Sequence, residues 1–132
     1  MQKRRHIAQS YDNKLNERKI PGIKLIHVPS NIQSAYYKYV LYFEPPIERE
    51  KLKQKMKKEY GVSLPGELYN RSCHSQPVFA KHPELVISQP AESLAETDYV
   101  VSNHFCLPLY FDLTDDQIEH DVDSLDRAVR SF

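Results

Sequence analysis

The first quarter of the chain shows the spacing of an amphipathic helix followed by a short extended run. Between residues 3 and 18 the apolar residues recur at helical intervals, and these are Ile7, Ala8, Tyr11 and Leu15. This pattern predicts a helix with one narrow buried stripe, which Pro21-Gly22 ends. The run from Ile23 to Val28 predicts a short strand. Because the helix opens so close to residue 1, we expect a further segment upstream.

The strongest strand pattern covers Tyr36 to Phe43, where aromatic and β-branched residues follow one another. Such residues suit a pleated, half-buried surface, so we expect this strand to be central in the sheet. Pro45-Pro46 ends it and predicts the start of a second helix over roughly 46 to 60. Glu48 and Glu50 are expected in the first turn of that helix, where a carboxylate favours the positive end of the helix dipole, and Gly61 is expected to end it.

The middle of the chain lacks a clear period. No helical spacing survives from Val62 to Phe79, Pro65-Gly66 is a turn signal, and Leu68-Tyr69 predicts a short extended piece. A short helix is expected from Pro90 to about Glu96. Phe105-Cys106-Leu107 then predicts a short apolar strand.

The last helix has the clearest sequence signals. Thr114 followed three residues later by Gln117 is typical of a capping box, and Asp115 and Asp116 favour the positive end of the helix dipole. The apolar residues beyond this start recur at helical spacing, and these are Ile118, Val122, Leu125, Val129 and Phe132. We therefore predict a C-terminal helix docked on the core.

This order of elements predicts an α+β fold, in which helices pack on one face of a small, mainly antiparallel sheet. The connections are too short for the crossovers of a doubly wound parallel sheet. With 132 residues, the chain suits a single domain over residues 1–132. A stretch of about 18 apolar residues that could span a bilayer is absent.

The formal net charge of zero hides a division between the two parts of the chain. Residues 1–60 contain 14 Lys and Arg against 6 Asp and Glu, while residues 61–132 contain 4 against 12. The acidic part argues against a nucleic-acid-binding domain, although a phosphate-binding basic module remains an alternative. We expect attraction between the two parts, or toward an acidic partner, with the lysines of residues 51–58 on a solvated helix face.

Cysteine content and the first residues indicate a cytoplasmic protein. Cys73 and Cys106 do not form a CxxC pair, and both are expected to be reduced. The basic start is not followed by an apolar stretch, so no secretory leader is predicted. No metal site is predicted, since the six histidines form no helical H-x-x-x-H pair. Three scattered glycines cannot form a glycine-rich phosphate loop.

The most site-like stretch is the loop from Tyr69 to Phe79. It combines a phenol, a guanidinium, an imidazole and an amide on a segment without helical spacing, and such loops often carry function. Cys73 beside His74 suggests a nucleophile and its base, but adjacent side chains usually point apart. The alternative is a solvated connection that Tyr69 and Phe79 anchor to the core.

A series of landmarks occurs in a fixed order along nearly the whole chain. They are Arg4-Arg5-His6-Ile7-Ala8 with Tyr11 and Leu15, the Tyr-rich strand at 36–43, Arg49, Tyr60-Gly61-Val62, Tyr69, His74 with Gln76-Pro77, Pro90-Ala91-Glu92, Leu107-Pro108-Leu109-Tyr110 and Leu113-Thr114. This series resembles the C-terminal small domain of the DegT/DnrJ/StrS aminotransferases, pyridoxal-phosphate enzymes of aspartate-aminotransferase fold that act largely on nucleotide-linked keto-sugars.

The resemblance implies the small lobe of a two-lobe enzyme, with pyridoxal phosphate held by a large domain that this chain lacks. It implies no catalytic and no cofactor-binding residue here. His74 and Tyr69 match residues at the sugar-nucleotide end of the family's cleft, and Gln76 is a weaker match. A homodimer of the full-length form is one option, and no nucleic acid or membrane partner is expected.

Two departures from the family bear on substrate preference. Ser72 and Cys73 replace the Pro and aliphatic residue that usually precede the histidine, and Gln89 replaces the phenylalanine common before Pro90. The rival hypothesis is an independent binding or assembly module that reuses this fold without a cofactor.

Overall fold

A computed structural model describes residues 2–85 and 94–132 of the chain. The elements, in chain order, are helix α1 (Gln2–Arg18), strand β1 (Ile23–Leu25), strand β2 (Tyr39–Phe43), helix α2 (Arg49–Tyr60), a 3₁₀ turn (Cys73–Ser75), helix α3 (Pro77–Lys81), a second 3₁₀ turn (Pro83–Leu85), helix α4 (Ala95–Ser102), strand β3 (His104–Leu107) and helix α5 (Asp115–Val129). None of the helices in these two ranges is long and apolar enough to cross a membrane.

The three strands form one antiparallel sheet in the order β1-β2-β3, which confirms the predicted α+β class and the central position of β2. Alternate residues of β2 are buried, so Tyr39, Leu41 and Phe43 face the core. The ring of Tyr39 stacks on Tyr11 of α1 with centroids 4.8 Å apart. This aromatic pair joins the sheet to the first helix.

Strands β1 and β2 are both shorter than predicted. β1 ends at Leu25 instead of Val28, and Ile32 N–H donates to Pro29 O at 2.9 Å in a turn that follows it. β2 begins at Tyr39 instead of residue 36, because Tyr36 has a φ of 45°, in the left-handed region. That conformation is incompatible with a regular strand.

Helices α1 and α5 lie side by side in parallel. Lys14 pairs with Glu119, and four residues further along both helices Arg18 pairs with Asp123 at 2.8 Å. Tyr11 on the same face of α1 donates to Asp121 Oδ2 at 2.6 Å. The ion pairs bring basic residues of the first part of the sequence against acidic residues of the second part within one molecule, which is one of the two uses expected for the charge division.

Helix α5 has the predicted start and buried face. Gln117 N–H donates to Thr114 Oγ1, and Thr114 N–H donates to Gln117 Oε1, which completes the capping box. The predicted stripe is buried up to the end of the helix, as Ile118, Val122, Leu125 and Val129. Phe132 was expected to continue the stripe but lies beyond the helix, with 41% of its surface exposed.

Helix α2 begins later than predicted, at Arg49 instead of residue 46. Ile47 N–H donates to Glu44 O in a turn, and the Ile47 side chain is buried in the core. Glu48 is therefore the residue before the helix instead of part of its first turn, and its side chain makes no cap hydrogen bond. Gly61 ends the helix in the left-handed conformation, as predicted.

Residues 66–102 lie between α2 and β3 in the chain and are here called the outer segment. Their described part, 66–85 and 94–102, contains one buried residue, Ser72. Leu68-Tyr69 was predicted to be extended but is not a strand, and the short helix α3 was missed because five residues are too few to show a helical period. Of the helix predicted from Pro90 to about Glu96, residues 90–93 lie outside the described residues, and the described helix is α4.

Candidate functional site

The loop around His74 is organised by one buried serine. Ser72 is 4% exposed, and the 3₁₀ turn that follows it is closed by Ser75 N–H donating to Ser72 O at 3.2 Å. The Ser75 hydroxyl donates to the same carbonyl at 2.9 Å. Ser72 therefore sets the conformation of the residues that carry the predicted chemistry.

An acidic side chain from α4 meets this loop. The Ser72 hydroxyl donates to Asp98 Oδ1 at 2.7 Å, and His74 Nε2 lies 3.1 Å from the same carboxylate. The Ser72 hydroxyl, and then the His74 imidazole, hold the pKa of Asp98 below its ordinary value. Asp98 is consequently ionised near neutral pH and joins the loop to α4.

The three side chains do not form a hydrolytic triad. In a Ser-His-Asp triad the imidazole uses one nitrogen for the serine and the other for the carboxylate. Here the same atom, His74 Nε2, lies 3.1 Å from Asp98 and 3.4 Å from Ser72 Oγ, while the Ser72 hydroxyl already donates to Asp98. Ser72 is therefore not activated as a nucleophile, and the arrangement is suited to binding.

The structure places the predicted binding residues in one segment but joins only two of them. Gln76 Nε2 lies 3.5 Å from Ser72 O, at the limit of a hydrogen bond, so Gln76 and His74 share the same serine. Tyr69 is 66% exposed, and its hydroxyl joins no hydrogen bond with the described residues. Tyr69 therefore does not anchor the loop to the core as the alternative expects, whereas Phe79, the other expected anchor, is half-buried.

A buried histidine links the first residues of the outer segment to its last helix, α4. His104 is 3% exposed; its Nδ1 donates to Val100 O at 2.7 Å and its Nε2 accepts from Leu68 N–H at 3.0 Å. One donating and one accepting nitrogen define a neutral imidazole. His104 thus connects the start of the outer segment to α4, the helix that carries Asp98.

Sequence reasoning missed Ser72, Asp98 and His104 as parts of this site. Asp98 lies 26 residues from Ser72 and His104 lies 36 residues from Leu68, so no local spacing reveals either contact. Ser72, which departs from the family's usual proline, is the residue whose hydroxyl donates to Asp98.

The lysines do not fit the Schiff-base role in pyridoxal-phosphate chemistry. All eleven lie in the described residues, and each is half-buried or exposed, whereas that role requires a lysine enclosed with the cofactor. Within residues 2–85 and 94–132, no group of three His, Cys, Asp or Glu side chains could hold a metal ion.

A cleft with a volume of about 530 Å³ lies between α1 and residues 25–36, and no residue of the His74 loop lines it. Two of its charged side chains, Arg5 and Asp12, have partners in the protein. Arg5 Nε donates to Ser34 O at 3.0 Å, and Asp12 Oδ1 accepts from the Tyr39 hydroxyl at 2.6 Å. We interpret this cleft as the space beneath a surface loop.

Comparison with known proteins identifies the family of this chain. The model of the DegT/DnrJ/EryC1/StrS aminotransferase family matches residues 1–126. The chain belongs to this family. No curated protein matches the chain at a significant level.

Several solved structures share the fold. The aminotransferase TlmJ from Streptoalloteichus hindustanus is 19% identical with a TM-score of 0.77, over 98% of this chain and 32% of that chain. A DegT DnrJ EryC1 StrS aminotransferase from Brucella abortus is 25% identical with a TM-score of 0.70, over 100% and 31%. NtdA from Bacillus subtilis, solved with bound cofactor PMP, is 19% identical with a TM-score of 0.78, over 97% and 28%. The chain thus spans about a third of these structures' length.

Proposed function

We propose that this domain is the C-terminal small lobe of a pyridoxal-phosphate aminotransferase that acts on nucleotide-linked keto-sugars, where it closes over the substrate without performing the chemistry. The observation that carries the proposal is the loop of residues 72–76, in which Ser72 and Asp98 fix the position of His74. A loop fixed in this way can present its polar side chains to a bound molecule at low entropic cost.

The side chains of this loop suit a sugar diphosphate. The imidazole of His74, next to the ionised Asp98, is a cationic donor whenever it carries its second proton, and the amide of Gln76 donates or accepts. The exposed phenol of Tyr69 offers both a hydroxyl and a ring face. Imidazolium and amide donors match diphosphate oxygens and sugar hydroxyls. Each of the three residues binds, and none transfers a proton to or from the reacting carbon.

The cofactor belongs to the rest of the enzyme in this proposal. NtdA contains PMP, and DesV from S. venezuelae was solved with a ketimine intermediate, so these relatives carry the cofactor chemistry. Because the lysines of this chain are all half-buried or exposed, we expect no specific site for pyridoxal phosphate in residues 1–132 alone. A stoichiometric aldimine absorbance band at micromolar cofactor, abolished by one lysine substitution, would contradict this expectation.

His74→Ala in a longer enzyme tests the substrate role. We replace the matching 31% of the Brucella abortus aminotransferase by residues 1–132 and follow each half-reaction by cofactor absorbance. Loss of a hydrogen bond to a charged group costs about 1.5–3 kcal/mol, so kcat/KM for the sugar substrate should fall by about one to two orders of magnitude. The half-reaction with the small amino donor should change much less.

His82→Ala is the matched control, because His82 is an exposed histidine that lies beyond α3 and contacts Glu84 instead of Asp98. It should leave both half-reactions unchanged. If His74→Ala impairs both half-reactions equally, or neither, His74 does not bind the sugar substrate.

An assembly module is the second candidate, and one observation favours it. The buried residues form one continuous core that spans α1 to α5, so the domain has what it needs to fold separately. A hybrid enzyme that folds, binds cofactor and yet fails to turn over any keto-sugar nucleotide, while residues 1–132 bind a protein partner, would favour this candidate.

A further inference from the structure

The cleft between α1 and residues 25–36 has one wall of helix and one wall of loop. The helix wall is formed by four polar residues at helical spacing, namely Arg5, Gln9, Asp12 and Asn16. The loop wall follows β1 and includes His27 and Gln33. The volume of about 530 Å³ falls within the range of about 300–1,000 Å³ that is usual for small-molecule sites. The space beneath this loop is therefore large enough for a small metabolite.

Arg5 brings a positive charge to the cleft without a counter-ion. The side chain is half-buried, and it forms no ion pair within residues 2–85 and 94–132. Its Nε donates to Ser34 O at 3.0 Å, while its two terminal amino groups make no hydrogen bond with the described part of the chain. A guanidinium that is held at Nε can still donate from both terminal nitrogens to one carboxylate.

Asp12 brings a negative charge to the same wall, seven residues further along α1. Its Oδ1 accepts from the Tyr39 hydroxyl at 2.6 Å, whereas its Oδ2 has no donor among the residues that the structure describes. A rise of about 1.5 Å per residue separates the Cα atoms of Arg5 and Asp12 by about 10 Å along the helix axis. This separation leaves room for a molecule with an anionic and a cationic group between the two side chains.

The backbone beside the cleft is strained. Tyr36, whose side chain also lines the cleft, has a φ of 45°, and its N–H donates to Ser34 Oγ at 3.1 Å. Ser34 therefore joins the strained residue to Arg5, because its carbonyl accepts from the guanidinium. A left-handed non-glycine residue is retained only where the surrounding structure compensates for it, and such residues cluster at functional sites. The turn that holds Arg5 is thus the strained one.

We propose that this cleft binds a free amino acid with a polar side chain, with its carboxylate on the terminal amino groups of Arg5 and its ammonium on Asp12 Oδ2. A simple anion is repelled by Asp12 and a simple cation by Arg5, whereas a dipolar molecule matches both charges. The amides of Asn16 and Gln33 line the cleft and can bond to the polar side chain of the ligand. The inference does not depend on the substrate proposed for the His74 loop, since no residue of that loop lines the cleft.

Titration of residues 1–132 with L-glutamine, followed by amide NMR shifts, tests this site. Saturable shifts are expected at residues 25–36 and on α1, and not in the outer segment. Arg5→Gln should weaken binding by about tenfold or more, because a hydrogen bond between two charged groups is lost. Arg4→Gln is the matched control, since it removes the same charge from an exposed neighbour that does not line the cleft. It should leave the affinity unchanged.

Glutaramic acid, which is L-glutamine without the ammonium group, tests the role of Asp12 without any change in the protein. It should bind the unaltered chain about tenfold or more weakly than L-glutamine does. Asp12→Asn should weaken the binding of L-glutamine but not that of glutaramic acid, because only the ammonium contacts this carboxylate. Asp112→Asn makes the same chemical change at an exposed position outside the cleft and should alter neither affinity.

Three results would overturn the inference. The first is the absence of saturable shifts with L-glutamine at millimolar concentration, and the second is saturable shifts confined to residues outside the cleft. The third is equal affinity for L-glutamine and glutaramic acid, which would assign the cleft to anions in general. If Arg5→Gln or Asp12→Asn lowers the thermal stability so far that the variant does not fold, the comparison of the two ligands on the unaltered chain still decides.

Discussion

The core and the outer segment of this small domain are built in opposite ways. In the core, α1, α5 and one face of the sheet bury rings and aliphatic chains against one another, from Ile7 and Tyr11 to Leu125. In the outer segment, the described residues bury only the small polar Ser72, and large side chains such as Tyr69 and Leu85 lie exposed. Stability therefore resides in the core, while the candidate site is held by a few hydrogen bonds.

Leu125→Ala should lower the free energy of unfolding more than the other substitutions below. A small loss would contradict the contrast between the core and the outer segment. Leu125 on α5 is completely buried, so its truncation should cost about 2–5 kcal/mol, a large share of the 5–15 kcal/mol typical of a domain. The matched control is Leu85→Ala in the outer segment, where 65% of the side chain is exposed and the expected cost is about 0.5 kcal/mol or less. Equal losses in chemical denaturation would show that the two regions do not differ in this way.

Tyr11→Phe should have an intermediate effect with a characteristic pH dependence. Burial raises the pKa of Asp121, and the hydrogen bond from Tyr11 opposes that rise. Without the hydroxyl, a buried carboxylate loses its donor, and we expect a cost of about 1–3 kcal/mol at neutral pH. The raised pKa of Asp121 means that its charge is unfavourable in the fold above that pKa.

The deficit of Tyr11→Phe should therefore shrink as the pH falls through the folded pKa of Asp121, where the carboxyl becomes neutral. Denaturation of both proteins at several pH values measures this difference. Tyr37→Phe, which removes an exposed hydroxyl, should cost almost nothing at any pH. A deficit for Tyr11→Phe that grows on acidification would contradict the charged state assigned to Asp121.

Ser72→Ala should have the smallest effect of the three on global stability. It tests the hydrogen bond between Ser72 and Asp98 that holds the outer segment. Because the Ser72 hydroxyl is the main cause of the lowered pKa of Asp98, its removal should move that pKa back toward the ordinary aspartate value. Because the pKa of Asp98 is lower in the folded protein than in the unfolded chain, its carboxylate stabilises the loop at any pH above the unfolded pKa. This contribution is lost as the pH falls through the folded pKa. Carboxyl NMR titration measures the shift, and an unchanged Asp98 pKa would show that the hydroxyl does not donate to it.

The sequence predicted those parts of the fold whose signals are local. The capping box of Thr114 and the apolar stripe ending at Val129 established α5, and the aromatic run identified β2 as the central strand. The boundaries that failed depend on tertiary contacts. Tyr36 does not have a strand conformation, and its side chain packs on the core. Helix α2 begins only after Ile47, because Ile47 is buried in a turn.

The candidate site was predicted only in part, for a related reason. The lack of helical spacing and the polar residues drew attention to the loop with His74 and Gln76, but their role in substrate binding stays a prediction. The residues that organise the loop are Ser72 and Asp98, which meet across 26 positions of sequence. Neither has a feature that distinguishes it from other surface polar residues until the chain is folded.

The hydrogen bond between Leu68 and His104 has an evolutionary consequence. It brings together two residues 36 positions apart, so the outer segment leaves and rejoins the core at nearly one point. The entropy of closing such a loop grows only with the logarithm of its length, and doubling the length costs about 0.6 kcal/mol. Insertions, deletions and exchanges between these two residues are therefore inexpensive, and related enzymes can diversify this segment while inheriting the core unchanged.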